Sequence, residues 1–173
     1  MKEYERIEIT GHQITFIVHG ETNETIGGLF LLPMVLEGRN IENWRSSLVT
    51  TKICFRCYDS VFELTDYFSS GQYLQLRDKL MELRNGDSLF YETGTAEPGF
   101  DLAVTLNTVM QDITFQCYFP SRSAYDRSLD PHPESYRRFI IHRDIYEFTL
   151  EKEQLENPIT QLNALIDFIR AKW

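Results

Sequence analysis

Apolar and polar residues alternate with a period of two over much of the chain, most regularly where Phe100, Leu102, Val104 and Leu106 interleave with Asp101, Ala103, Thr105 and Asn107. That period puts one apolar and one polar face on a half-buried strand. After a short connection around Val109-Met110-Gln111 the pattern resumes with Ile113, Phe115, Cys117 and Phe119, so the two runs read as an antiparallel hairpin. Ile53, Phe55 and Cys57 alternate with Lys52, Cys54, Arg56 and Tyr58, and Asp59-Ser60 can turn the chain into a partner strand through Phe62 and Leu64. Further strands are expected near 7–9, 14–18, 29–36, 89–91 and 139–148. Pro33 lacks a backbone donor and marks the 29–36 stretch as an edge or broken strand.

Two segments switch to a helical period. Ser69 or Ser70 can cap a helix over about 70–85, with Tyr73, Leu76, Leu80 and Leu83 on one face and Asn85-Gly86 as its left-handed exit. A second helix, about 157–172, is announced by Asn157 as N-cap and Pro158 in first position, followed by Ile159, Leu162, Leu165, Ile166 and Ile169. The expected class is α+β: an antiparallel sheet of about eight or nine strands, curved or sandwich-like, packed with two amphipathic helices. The stretch 120–136, with Asp130-Pro131-His132-Pro133 and no alternation, reads as a surface-loop insertion.

Composition narrows the function. The 173 residues suit one domain spanning 1–173, with a core that needs no disulfides or metals. With 17 basic against 26 acidic residues the net charge is −9, which disfavours grip on a phosphate backbone, and nucleic acid is not an expected partner. The deficit is even, −3 in each of 1–50, 51–100 and 101–173, so no tail or arm carries it. No stretch resembles a signal peptide or a bilayer span, and the expected location is the cytoplasm, away from membranes.

Candidate chemistry is sparse. Cys54 and Cys57 have dithiol spacing, but three residues apart on a strand they point to opposite faces, with Cys57 expected inside and Cys54 outside as ordinary thiols. His12 and His19 fall on opposite faces of a strand, and Gly27-Gly28 reads as a turn rather than a phosphate cradle. His142, Asp144 and Tyr146 form an every-other-residue row that could hold a base and its orienter, though the plainer reading is a hydrogen-bonded trio on a solvated face. Trp44 is expected to pack over the core. Glu92, Glu97 and Asp101 flank a strand connection, where carboxylates suit a basic protein patch; they are the candidate partner-binding residues. No catalytic, metal or cofactor site is expected.

The order of elements carries a resemblance. Asn43-Trp44 opening a strand, the Tyr58–Phe68 region, the leucine helix Tyr73–Leu83, a strand at Leu89–Tyr91, Glu97-Pro98-Gly99-Phe100 entering a hairpin, and a closing strand and helix resemble the WapI family of immunity proteins over 41–119 and 137–171. The resemblance implies a non-enzymatic bacterial protein that binds and neutralises a cognate polymorphic toxin, often a nuclease. An acidic partner with a pI near 4.9 suits a basic toxin surface. The alternative is a small-ligand-binding or regulatory domain in which the helices close the sheet over an apolar pocket; it is motivated by 12 Phe and 9 Tyr.

Overall fold

A computed structural model describes residues 5–38, 43–95, 99–120 and 143–173. The described chain forms two antiparallel sheets and two helices, an α+β fold. Sheet 1 contains β1 (Glu5–Glu8), β2 (Ile14–His19), β3 (Thr25–Gly38), β4 (Leu48–Cys57) and β5 (Ser60–Ser69). Its order is β1-β3-β4-β5, and β2 also pairs with β3. Sheet 2 runs in chain order through β6 (Phe90–Gly94), β7 (Asp101–Asn107), β8 (Asp112–Pro120) and β9 (Arg143–Glu151). The helices are α1 (Ser70–Asn85) and α2 (Glu156–Arg170).

The alternation in sequence becomes two facing apolar surfaces. Aromatic rings join them: Phe16 of β2 lies 5.0 Å from Phe115 of β8, and Phe55 of β4 lies 6.1 Å from Phe148 of β9. Phe68 and Phe100 bridge the same interval at 6.4 Å. Centroid separations of this size fall in the favourable range for offset and edge-on aromatic pairs. Part of the aromatic complement therefore forms the seam between the sheets.

Helix α1 begins as expected, with a reciprocal capping box: the Gln72 N–H donates to Ser69 Oγ at 3.1 Å and the Ser69 N–H donates to Gln72 Oε1 at 2.8 Å. Tyr73, Leu76, Leu80 and Leu83 are all buried, and Gly86 leaves the helix at φ 82°. Gln72 Nε2 also donates to the Gly94 carbonyl at 2.6 Å, tying α1 to the end of β6. Within the core, Thr51 Oγ1 donates to the Val49 carbonyl at 3.1 Å and lies 2.6 Å from the Tyr73 hydroxyl. A hydroxyl has one proton, so Tyr73 is the donor to Thr51. Burial pushes the Tyr73 phenol well above its ordinary range, which keeps that proton in place.

Helix α2 starts differently from expectation. A 3-10 turn at Lys152–Leu155 runs directly into it, so Asn157 lies inside the first turn rather than at the cap. Asn157 Nδ2 instead donates to Thr15 Oγ1 at 3.2 Å, and the Thr15 N–H donates to Gln161 Oε1 at 2.7 Å. Helix side chains thus occupy the polar groups of strand β2.

The sheet corrects several other expectations. Pro33 lies inside the long β3, which is paired on both sides, so this is neither an edge strand nor a broken one. The missing N–H is accommodated at a register shift between Pro33 and Val35, in the interval where β2 has ended at Ile14–Leu31 and β1 has yet to begin at Glu8–Val35. Gly27 and Gly28 are strand residues rather than a turn. A Cβ at Gly28, whose φ is 145°, would collide with the Phe16 carbonyl, and one at Gly27 with the Arg56 carbonyl. Strand β4 begins only after a 3-10 turn at Trp44–Ser46, where the Asn43 carboxamide oxygen accepts from the Arg45 N–H at 3.0 Å. Trp44 is half-buried against the core, with the Arg170 guanidinium 5.0 Å from its ring centre.

Candidate functional site

The side chains left outside the core are the place to seek function, and the registers of sheet 2 order them into rows. Glu92 pairs with Ala103, which pairs with Gln116, which pairs with Glu147. One step along the strands, Gly94, Asp101, Tyr118 and Ile145 form the next row. Phe90, Thr105, Thr114 and Thr149 form the row on the other side. All share the outer face, because partners across a ladder and residues two apart along a strand point the same way.

A groove arises where the smallest residues of adjacent rows meet. Ala103 lies between longer Glu92 and Gln116, and its exposure is only 7%. Gly94 has no side chain to fill its place, and the Asp101 carboxylate occupies the space a Cβ there would need. Asp101 is therefore drawn across toward β6, the strand that carries Glu92. The result is an open groove of about 230 Å³ lined by Phe90, Glu92, Asp101, Leu102, Ala103, Gln116 and Tyr118.

One wall is fixed by a relay of side chains. The Tyr118 hydroxyl donates to Gln116 Oε1 at 3.1 Å, and Gln116 Nε2 donates to Glu147 at 2.8 Å. This orients the Gln116 amide and holds the Tyr118 ring along the groove. The opposite wall is Phe90, 53% exposed, and beyond Tyr118 stands Ile145, 57% exposed. Glu92, Asp101, Asp112, Glu147 and Glu151 all occupy outer positions of these strands.

Two of the three expected partner-binding residues, Glu92 and Asp101, thus come together in one groove; Glu97 lies outside the described residues. Sequence reading missed Phe90, Ala103, Gln116 and Tyr118. The alternation assigned Ala103, Gln116 and Tyr118 to a polar face, but only the register across three strands shows that an alanine and a glycine leave a gap between two acids.

The His142-Asp144-Tyr146 row changes character. His142 lies outside the described residues. Tyr146 is on the inner face rather than a solvated one, its ring stacked 4.8 Å from Phe55 and tilted against Phe62 at 4.4 Å. Strand β9 pairs with β8 without interruption from Arg143 to Glu151, so Asp144, Tyr146, Phe148 and Leu150 follow one another on the core side. The loop expected at 120–136 falls outside the described residues apart from Pro120, which ends β8.

The cysteines exchange places relative to expectation. Cys57 is exposed at the end of β4, where the core has run out, although its direction is inward. Cys54 points outward yet is only 3% exposed, because it sits between Phe30 and Glu63 in the register. Arg56 lies over Phe30 at 5.5 Å and Lys52 reaches Glu63 at 2.9 Å, covering the small thiol. Burial raises the Cys117 thiol well above its ordinary range, which favours the unreactive protonated form.

Between α1 and the sheets, an apolar crevice lined by Leu31, Phe68, Tyr73, Leu76, Phe100 and Leu102 has a free volume of only about 10 Å³. That is near the minimum for one water molecule. Among the described residues no group of three or more His, Cys, Asp or Glu side chains is arranged to hold a metal ion, and no helix is long and apolar enough to cross a membrane. No protein-family model matches the chain, and no curated protein matches it.

Proposed function

We propose that the protein is a non-enzymatic immunity protein that binds and neutralises a cognate toxin domain with a basic surface, such as a nuclease, in the cytoplasm of the bacterium that makes both. The observation that carries this reading is the outer face of sheet 2. Two of its carboxylate positions, Glu92 and Asp101, line a groove with aromatic walls on a continuous four-stranded ladder. Interfaces combine such features: apolar and aromatic residues supply contact area, while fixed charge selects the partner's sign and speeds encounter. The order of elements that resembles the WapI family supports the same class of function. The apolar-pocket alternative has less behind it, since the crevice under α1 has room for little more than a water.

Co-expression tests the reading. The expected outcome is that a toxin-like protein encoded beside this chain arrests growth when produced alone, that co-production of this chain restores growth, and that the two copurify in a complex that weakens with salt. Persistent arrest together with the absence of a complex overturns the proposal.

A further inference from the structure

Strand β5 ends sheet 1, and among the described residues no strand but β4 pairs with it. The turn that starts β5 fixes where its main-chain groups point. Tyr58 and Asp59 form a two-residue hairpin loop, so the flanking Cys57 and Ser60 are a hydrogen-bonded pair. The Tyr58 N–H accordingly turns the other way and donates to the Ile26 carbonyl at 2.8 Å. Even-numbered residues of β5 therefore bond to β4, and odd-numbered ones turn their N–H and C=O to the free edge. At the far end that edge is capped: the Tyr67 N–H donates to Asp66 Oδ1 and the Ser69 N–H to Gln72 Oε1, each at 2.8 Å. Among the described residues no side chain caps Val61, Glu63 or Thr65 in this way. The other edges differ. Strands β1 and β6 have four and five residues, the Thr15 N–H of β2 is taken by Gln161, and β9 sets Arg143, Glu147 and Glu151 along its outer row. Strand β5 has ten residues without a proline or a register shift, and exposes Val61 and Tyr67 on its outer face. An edge of this kind is a template for a further strand.

We infer that the β5 edge pairs with the β5 edge of a second copy, giving a two-fold symmetric antiparallel dimer with sheet 1 continuous across the joint. Few registers are open to two identical strands. Centred on Glu63, the pairing sets carboxylate against carboxylate. Centred on Phe62, it carries Thr65 past the strand onto Asp59 of the turn; centred on Thr65, it carries Val61 onto Ser69, which Gln72 already holds. Centred on Leu64, Glu63 and Thr65 exchange both main-chain bonds with Thr65 and Glu63 of the second copy, and the Val61 N–H donates to its Tyr67 carbonyl. Side chains match in the same register: exposed Val61 meets exposed Tyr67, Glu63 meets Thr65, and Leu64 meets Leu64. Asp66, held on its own Tyr67 N–H, faces Phe62 rather than another acid. Lys52 reaches Glu63 at 2.9 Å within its own chain and lies beside Thr65, one strand from the Glu63 of the second copy. With Arg56 beside Val61, each copy brings Lys52 and Arg56 against Glu63 to the outer face of the joint. That local balance opposes the general repulsion between two chains of charge −9.

Sedimentation velocity of the full chain in reductant, at increasing concentration, tests this. A reversible monomer–dimer equilibrium is expected. Because both copies are acidic, salt should strengthen it several-fold by screening their repulsion, opposite to the salt response of a complex with a basic toxin. Thr65→Pro removes an outward N–H without touching the ladder to β4, so the variant should unfold cooperatively in urea while its dimer weakens by about tenfold or more. Val61→Glu and Tyr67→Lys should each weaken the homodimer. Mixing these two variants should restore association, because the new carboxylate then faces the new ammonium across the joint. A chain that stays monomeric at every concentration overturns the inference, even if a strand of another protein is found on this edge. So does a dimer that weakens with salt, a dimer indifferent to Thr65→Pro, or a mixture that associates no better than either variant alone. None of these outcomes bears on neutralisation, so the immunity reading stands or falls separately.

Discussion

The buried pair Thr51–Tyr73 allows the hydrogen-bond argument to be tested by its asymmetry. Tyr73 donates to Thr51, and Thr51 donates onward to the Val49 carbonyl, all within the core between β4 and α1. Thr51→Val keeps the shape but leaves the fully buried phenol O–H with no acceptor, a cost of about 1–3 kcal/mol. Tyr73→Phe removes the donor instead. Thr51 keeps its own donation to Val49 and loses only an acceptor role, so the cost is the ordinary net value of about 0.5–1.5 kcal/mol. In the double variant neither polar partner remains to be orphaned, and the loss should fall back to about 1 kcal/mol. Urea unfolding followed by the fluorescence of Trp44 and Trp173 measures all three. With a slope of about 2 kcal/mol/M, Thr51→Val should lower the midpoint by about 1 M and the double variant by about half as much. A coupling of about 2 kcal/mol follows from these figures. If the two single losses simply add, or if Tyr73→Phe is the costlier change, the assigned direction of the bond is wrong.

Three further outcomes follow from features described above. Burial raises the folded-state values of Tyr73 and Cys117 above 10.0 and 9.0, so the unfolded chain releases these protons first; stability is fully retained below about pH 9 and lost as the pH rises beyond it, by up to about 1.4 kcal/mol per pH unit for each group, and a urea midpoint unchanged from pH 8 to 10.5 refutes this. In the native state one thiol, Cys57, should react rapidly with a disulfide reagent and the other two only in denaturant; rapid reaction surviving in Cys57→Ser would show that Cys54 is not covered as described. Gly28→Ala forces a Cβ against the Phe16 carbonyl at φ 145°, and should cost about 3 kcal/mol or more in thermal or urea unfolding, whereas Gly86→Ala, with open space around it, should cost nearer 1 kcal/mol; equal effects would refute the close-approach argument.

Much of the architecture was legible because period and caps act locally. Period two placed β4, β5, β7 and β8, and Ser69 and Gly86 bounded α1, since each of these signals depends on neighbours within a few residues. What failed depended on distant partners. Pro33 was tolerated because β1 and β2 divide one side of β3 between them, which no local pattern records. Cys54 was covered by Phe30, more than twenty residues upstream, and Asn157 was drawn from its capping role by Thr15. The acids Glu92 and Asp101 were legible only through residue type and their place beside a strand connection. Their convergence needed the β6–β7–β8 register, and the apolar half of the groove was invisible for the same reason.

The contact between Thr15 and Gln161 spans 146 residues of sequence. Strand β2 is hydrogen-bonded to β3 on one side, and its Thr15 N–H is taken up by the side-chain amide of a helix that the ribosome makes after all nine described strands. Until α2 arrives, a nascent chain holds an open strand edge beside exposed Ile14 and Phe16, the arrangement most prone to pairing with another chain. The last helix therefore acts as a latch in time as well as in space. How quickly it closes should govern how much newly made protein reaches the native state, independently of how stable that state is once formed.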